Sequence, residues 1–200
     1  MDEHEAADWL EIRLSPPERL MQREAVIWLG QQARKIGRDG WCANVGTWCG
    51  YSALALALGG PTVLAIDTFL AGDAQTGRQA LERVEGGLQS TFRRFLDHVN
   101  AAPIPVRVVP LVGNSTDVAG AVGIEMLDMV FIDGDHSLPG VTKDLAVWSF
   151  ALRPGGLLCG HDVQQPAIGQ AIEHFVKTCG WPPIEHGPDQ IWFTRKPQPS

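Results

Sequence analysis

Two short apolar runs, each ending abruptly in ionisable side chains, constrain the fold of this chain more than any other feature. They are MVFIDGDH at residues 129–136 and GGLLCGHD at residues 155–162, and a helical pattern separates them. Two parallel strands joined by a helix place their polar ends at the same carboxyl edge of one sheet, where ligands bind in open α/β folds. The pattern therefore predicts an enzyme site at that edge. Its candidate residues are Asp133, Asp135, His136, His161 and Asp162.

Composition limits the function classes. The chain has 200 residues, 44% hydrophobic and 20% charged, which indicates one globular domain spanning residues 1–200. Its net charge of −7 disfavours nucleic acid as a partner. No apolar run reaches the length of a membrane span, and the acidic N-terminus is unlike a signal peptide. The four cysteines lack CxxC spacing and are interpreted as reduced thiols. Together these features predict a cytoplasmic location.

Strand-length apolar runs alternate with helical patterns along most of the chain. This alternation predicts a Rossmann-like, doubly wound α/β fold, with a mostly parallel seven-stranded sheet and helices on both faces. Pro110 lacks a backbone N–H for the ladder, so we expect the third strand at an edge of the sheet. The predicted strands cover residues 41–45, 62–67, 106–113, 127–133 and 156–162, with two short strands within 183–195.

Two segments lie outside the simplest alternation. Residues 1–39 form a predicted N-terminal helical segment, with one helix over 16–36 that begins after Ser15 at two prolines. Residues 68–105 are longer than one crossover helix needs. We expect them to be either a lid over the site or an extra packing helix.

The stretch NVGTWCGYS at residues 44–52 indicates a strand end, a glycine turn and a helix start. Its GxxxG spacing is not the dinucleotide GxGxxG, and no GK[ST] follows as in a P-loop, so a ligand without phosphates fits better. Asp67 ends the next strand, where a carboxylate can accept hydrogen bonds from both ribose hydroxyls. The pattern favours a nucleoside-type ligand, and a turn that only reverses the chain is the alternative.

Asp133 and Asp162 are both predicted at strand ends on one edge. Carboxylates brought together repel each other unless a cation or a proton joins them. Mg²⁺ favours such oxygen ligands, whereas a histidine ligand such as His161 shifts the preference toward Mn²⁺, Fe²⁺ or Zn²⁺. His161 can instead orient Asp162 without touching the metal. Asp135 is expected to cap the helix that starts near Ser137.

Several motifs together resemble a known family. NVGTWCGYSALALA, AIDTF, VGNS, MLDMVFIDGDH and LRPGGLLCGHDV are similar, in this order, to class I S-adenosylmethionine-dependent methyltransferases. The resemblance is narrower to metal-dependent O-methyltransferases, both the catechol type and the group acting on sugars and antibiotic precursors. It implies that the glycine turn holds the methionine half of the cofactor, Asp67 the ribose, and Asn114 and Ser115 the adenine. The implied cofactor-binding set is Asn44, Gly46, Thr47, Gly50, Ser52, Asp67, Asn114, Ser115 and Asp133.

The same resemblance implies a catalytic centre. Asp133, His161 and Asp162 stand where the family places its metal ligands, and His136 where it places its proton acceptor. A histidine has an ordinary pKa near 6.5, which suits a general base at neutral pH. The implied reaction is metal-assisted deprotonation of a small-molecule hydroxyl, followed by its attack on the sulfonium methyl group. Tryptophans near both ends of the chain are compatible with a homodimer.

Three alternatives stay open at this point. A nicotinamide-dependent oxidoreductase uses a similar fold, but the GxxxG spacing and the absence of a Tyr-x-x-x-Lys pair, Tyr51 being the only tyrosine, count against it. A cofactor-binding relative without catalysis is compatible with Asn44, which stands where the family usually has an acidic residue, and with His161. Some relatives are hydroxylases of antibiotic nuclei with a similar metal site.

Overall fold

The computed structural model of the chain describes residues 1–70 and 88–199. Strands and helices alternate in this part of the chain, as the hydrophobic pattern predicts. The strands are β1 (Trp41–Val45), β2 (Thr62–Asp67), β3 (Arg107–Val112), β4 (Leu127–Ile132), β5 (Leu152–Gly160), β6 (Glu185–His186) and β7 (Trp192–Arg195). The helices are α1 (Glu3–Arg13), α2 (Arg23–Ile36), α3 (Tyr51–Gly59), α4 (Leu88–Asn100), α5 (Ser115–Ala119), α6 (Leu138–Ala151) and α7 (Pro166–Cys179).

The strands form one seven-stranded sheet in the order β3-β2-β1-β4-β5-β7-β6. Strands β1 to β5 pair in parallel, and β7 is antiparallel to both β5 and β6. The mostly parallel, doubly wound sheet is thus confirmed, and β3, which contains Pro110, lies at its edge. The strand order reverses between β1 and β4, and such a switch point opens a crevice at the carboxyl ends of the strands.

Helices cover both faces of the sheet because neighbouring residues of a strand point to opposite sides. On β1, Cys42 packs into a core with residues of α1, α2, α3 and α4. Its neighbour Ala43 packs into a second core with residues of α6 and α7, including the fully buried Trp148. Among the helices of the described residues, none combines the length and hydrophobicity that crossing a membrane requires.

The N-terminal segment differs from the predicted single helix over 16–36. A short 3-10 helix at Pro16–Glu18 ends at Arg19, which has an extended backbone, and the α-helix begins only at Arg23. Two side chains hold this break. Glu18 accepts hydrogen bonds from the backbone and hydroxyl of Ser15, and Asp189 accepts one from the backbone N–H of Gln22.

The predicted lid over 68–105 is described only in part, since residues 71–87 lie outside the described residues. Its C-terminal portion contains α4, and the side chain of Phe95 there is fully buried in the core. This portion therefore matches the alternative of a packing helix.

Candidate active site

The glycine turn after β1 lies directly against the end of β4. Gly46 has a φ of +85°, and a Cβ atom added there would lie 1.9 Å from the carbonyl oxygen of Asp133. The backbone N–H of Asp133 in turn donates to the carbonyl of Val45 at 2.8 Å. Only glycine permits both the backbone angle and the close approach. The glycine turn and the backbone at Asp133 are therefore in direct contact at the carboxyl edge of the sheet.

Three ionisable side chains converge at this edge. The Nε2 atom of His136 lies 3.1 Å from Oδ2 of Asp162 and 3.6 Å from Oδ1 of Asp133. One ligand atom from each of the three residues lies within 4.8 Å of the others. Two carboxylates and an imidazole at this separation are a donor set that fits a divalent cation.

The electrostatics of the cluster follow from these contacts. Hydrogen bonds to Asp133 and Asp162 raise the pKa of His136 to about 10, against the opposing effect of burial. Burial raises the pKa of Asp162, but the hydrogen bonds from His136 and His161 outweigh it and hold that pKa below its usual range. In the absence of a cation, His136 is thus an imidazolium at neutral pH, and its single positive charge offsets part of the negative charge of the cluster.

His161 is placed differently from the predicted third ligand. Its Nδ1 lies 3.4 Å from Oδ2 of Asp162, while its Nε2 lies 3.2 Å from Oδ2 of Asp189. The His161 side chain is 5% exposed, compared with 25% for His136. Within the described residues, the cluster that can ligate one ion contains His136 and not His161. The geometry therefore matches the alternative in which His161 orients Asp162.

The carboxyl edge also concentrates unusual backbone conformations. Non-glycine residues with positive φ there are Trp48 at +50°, Phe69 at +53°, Asp162 at +61° and Asp189 at +48°. Such conformations cost free energy, and they persist where the surrounding contacts impose them, often at functional sites. Asp162 is itself a predicted metal ligand. Trp48 and Phe69 are the two residues whose backbone N–H groups donate to Asp67.

Asp67 is held by backbone hydrogen bonds at the end of β2. Its Oδ2 accepts from the N–H of Trp48 at 2.7 Å and its Oδ1 from the N–H of Phe69 at 2.6 Å. Burial raises the pKa of Asp67, and these backbone hydrogen bonds oppose the rise. The carboxylate is thereby fixed beside the glycine turn, where the sequence places a ribose-binding group.

Asn44, Thr47 and Ser52 form a buried network beneath the turn. The amide of Asn44 donates to the Ser52 hydroxyl at 3.0 Å, and its Oδ1 accepts from the Thr47 hydroxyl at 3.0 Å. Asn44 is fully buried. Its observed contacts support the turn from within, and a contact of these three side chains with a cofactor stays a prediction.

Asn114 and Ser115 begin α5 at the end of β3. Asn114 caps the helix through the N–H of Thr116, and the Ser115 hydroxyl donates to the carboxylate of Asp144 on α6. Burial raises the pKa of Asp144 to about 6, although the bond from Ser115 opposes the rise. The sequence analysis missed Asp144. Its position on the apolar stripe of α6 is the signal that could have found it, and that stripe consists of Val141, Asp144, Leu145 and Trp148.

Asp135 lies just beyond the carboxyl end of β4 and has a local role. Its Oδ1 accepts from the N–H of Ser137 at 2.8 Å, and Ser137 itself caps α6 through the N–H of Gly140. The predicted capping function is therefore shared between the two residues.

The four cysteines are free thiols, and all but Cys179 are buried: Cys42, Cys49 and Cys159.

Comparisons with known proteins agree with this geometry. A family profile described as a methyltransferase domain matches residues 43–163, more than half of the chain. No curated protein sequence matches.

Solved structures of O-methyltransferases share the fold. The O-methyltransferase NovP has a TM-score of 0.68 at 15% identity, covering 90% of this chain and 83% of its own. TomG from Streptomyces achromogenes, solved with SAM, has a TM-score of 0.64 at 18% identity and covers 99% and 91%. An O-methyltransferase from Bacillus cereus, solved with SAH, has 0.58 at 16% and covers 96% and 91%. The profile match and the shared fold together show that this chain belongs to the methyltransferase-domain family.

Proposed function

We propose that this protein transfers a methyl group from S-adenosylmethionine to a hydroxyl of a small molecule, assisted by a divalent cation. The observation that carries the proposal is the contact of the glycine turn at Gly46 with Asp133, which belongs to the cluster with His136 and Asp162. A cofactor held by the turn and a hydroxyl held at the cluster would meet in one crevice. Holding two reactants in line supplies much of the rate in such transfers.

The methyl donor is inferred from the turn and from Asp67. The turn lacks a phosphate-binding pattern, and the Asp67 carboxylate stands fixed where ribose hydroxyls can donate to it. TomG and the Bacillus cereus enzyme, which share this fold, are described with SAM and SAH bound. We assign the methionine half to Gly46–Gly50 and the adenine to the surface near Asn114 and Ser115.

The cation is inferred from the donor set. Asp133 and Asp162 would hold it, and Mg²⁺ suits their oxygen atoms, while a nitrogen ligand shifts the preference toward Mn²⁺, Fe²⁺ or Zn²⁺. A divalent cation there acts as a Lewis acid that lowers the pKa of an acceptor hydroxyl. His161 would orient Asp162 through the hydrogen bond it shares with Asp189.

His136 is the proposed proton acceptor in its neutral form, which a cation bound at Asp133 and Asp162 would favour, because the positive charge of the cation lowers the pKa of the neighbouring imidazole. Its ring lies beside both carboxylates and is more exposed than that of His161, so an acceptor hydroxyl can reach it. Proton removal by a positioned side chain contributes roughly 10²–10⁴-fold to a rate.

The buried free thiols of Cys42, Cys49 and Cys159 favour a reducing compartment such as the cytoplasm for this activity.

Calorimetric titration tests the proposal directly. The protein is titrated with S-adenosylhomocysteine, with NAD as the control ligand, and with Mn²⁺ in the presence and absence of the nucleoside. We expect S-adenosylhomocysteine and Mn²⁺ to bind and NAD to give no heat. Absence of S-adenosylhomocysteine binding would remove the methyltransferase proposal. If S-adenosylhomocysteine binds but Mn²⁺ gives no heat, the metal role would be refuted and the assignment of the methyl donor would stand.

A further inference from the structure

Glu18 is a buried carboxylate outside the cluster described above. It lies in the 3-10 helix of the N-terminal segment, and its side chain is 2% exposed. Oε2 accepts from the backbone and the hydroxyl of Ser15, both at 2.6 Å, and Oε1 accepts from Nη1 of Arg94 on α4 at 3.0 Å. Burial raises the pKa of Glu18, but the hydrogen bonds from Ser15 and Arg94 help to outweigh burial, and the pKa lies below its usual value. The N-terminal segment is thus tied to α4 by a partly buried charged pair.

The same carboxylate faces a histidine that reaches the glycine turn. Nε2 of His98 lies 3.8 Å from Oε1 of Glu18, and Nδ1 lies 2.9 Å from the carbonyl oxygen of Cys49. A carbonyl oxygen only accepts, so Nδ1 must carry the hydrogen of this bond. Cys49 is buried within the turn. His98 therefore supplies a hydrogen bond to a backbone group that water does not reach.

This hydrogen bond fixes one peptide unit of the turn at both ends. The carbonyl of Cys49 accepts from His98, and the N–H of Gly50 donates to the carbonyl of Thr47 at 2.9 Å. Gly50 has a φ of +98°, and a Cβ atom added there would lie 2.9 Å from Cδ2 of Phe95 on α4. The turn and α4 are thus in direct contact through a hydrogen bond and an aromatic ring.

The contact extends to the second cofactor element. The rings of Phe95 and Phe69 lie 5.4 Å apart, and the N–H of Phe69 donates to Asp67. One face of α4 therefore touches both the glycine turn and the residue that holds the Asp67 carboxylate. Glu18 and Arg94 anchor this helix from the outer side.

We infer that Glu18, Arg94 and His98 are positioning residues that fix the Cys49–Gly50 peptide for cofactor binding. The inference rests on the proposed function, because it assigns the ligand of the turn to S-adenosylmethionine. Without the His98 donor, the buried Cys49 carbonyl loses a hydrogen bond, and the peptide can rotate away from the conformation that the cofactor requires. A backbone group left unpaired away from water carries a cost comparable to the hydrogen bond itself.

Variants at His98 separate the hydrogen bond from packing. Asn places an amide donor near the position of Nδ1, whereas Leu removes the donor and Gln moves it along the side chain. We expect His98→Leu and His98→Gln to weaken S-adenosylhomocysteine binding about tenfold, the upper range for loss of one hydrogen bond, and His98→Asn to stay within about threefold. Glu18→Gln should weaken binding by a smaller factor. In turnover, KM for the donor should rise while kcat at saturation is retained.

Glu3→Gln is the matched control. Glu3 pairs with Arg34 at 3.3 Å in the same N-terminal segment, and this ion pair is separate from the contacts of Glu18, so its loss should leave affinity unchanged. Wild-type affinity in both His98→Leu and His98→Gln would overturn the inference, as would equal losses in His98→Asn and His98→Gln. If His98→Leu does not fold, the Asn and Gln variants decide. Failure of the wild-type protein to bind S-adenosylhomocysteine would instead refute the proposed function.

Discussion

His136 contacts Asp162 across the carboxyl edge of the sheet, with 3.1 Å between Nε2 and Oδ2. The two residues follow different strands, β4 and β5, and α6 connects those strands. Parallel pairing of β4 with β5 brings Ile132 opposite Gly160, so the residues just beyond both strands face each other. The contact is therefore a consequence of strand register, and it unites the charged groups on which most of the expected behaviour depends.

Removing either carboxylate of the cluster should remove the cation. We expect Asp133→Asn and Asp162→Asn to lower Mn²⁺ affinity at least tenfold and to abolish turnover, while S-adenosylhomocysteine affinity is nearly retained. Supporting groups around metal ligands already contribute about 10–100-fold to affinity, so loss of a direct ligand should cost no less. Asp135→Asn is the control, because Asp135 bonds the N–H of Ser137. Full activity of both cluster variants with a chelator present would contradict the metal role.

Replacement of His136 should lower the turnover rate more than it lowers the affinity for the cation. In His136→Gln, we expect turnover to fall at least about 100-fold, the lower range for general base catalysis, with a smaller loss of Mn²⁺ affinity. The pH–rate profile should lose the limb that belongs to the proton acceptor. A profile identical to that of the wild-type protein would exclude His136 as the base, and complete loss of Mn²⁺ binding would make it a ligand instead.

Asp189 should support the cluster through His161. Its Oδ2 lies 3.2 Å from Nε2 of His161 and accepts the N–H of Gln22 at 2.6 Å. We expect Asp189→Asn to lower Mn²⁺ affinity roughly tenfold because His161, and with it Asp162, becomes less ordered. Calorimetry measures the change, and Asp117→Asn, on the exposed side of α5, serves as the comparison. Unchanged affinity would show that His161 holds its position without Asp189.

Asp144 should make stability depend on pH. Its pKa is raised to about 6 from an ordinary 3.8, so the folded protein binds this proton more tightly than the unfolded chain does. The resulting contribution to stability is fully present below about pH 4 and is lost as the pH rises through 6. Asp144→Asn, which carries no charge, should therefore increase the free energy of unfolding at pH 8 by on the order of 1–3 kcal/mol. At pH 5 the gain should be roughly halved. Urea denaturation at the two pH values gives both numbers, and an equal effect at both would contradict the assignment.

Gly46 and Gly37 provide a matched pair of glycine substitutions. Both have positive φ, at +85° and +78°, but a Cβ atom meets the Asp133 carbonyl at Gly46 and nothing within 4 Å at Gly37. Gly37 has a ψ of −173°, a region that other residues rarely enter, so Gly37→Ala should cost about 1–3 kcal/mol of unfolding free energy from the backbone conformation alone. Gly46→Ala should cost about 3 kcal/mol or more, since overpacking adds to it. Similar losses in chemical denaturation would show that the turn can shift away from β4.

Local patterns in the sequence were sufficient for most of the fold. Apolar runs of strand length marked β1 to β5, and Pro110 correctly predicted that β3 lies at the edge. Such features depend on residues close together in the chain, since a strand covered on both faces must be apolar along its length. The break between Glu18 and Arg23 had only the Ser15–Glu18 capping box as a local signal. The break also depends on Arg94 and Asp189, which are distant in the sequence.

The sequence by itself determined which polar groups reach the carboxyl edge, because each follows an apolar strand directly. Only the tertiary structure decided that His136, and not His161, joins Asp133 and Asp162. Both histidines lie next to a strand end, so spacing along the chain does not separate them. Their ring directions depend on backbone angles such as the +61° φ of Asp162 and on the partner Asp189, which another part of the chain supplies. The packing of distant segments sets those angles, and for that reason they became visible only in three dimensions.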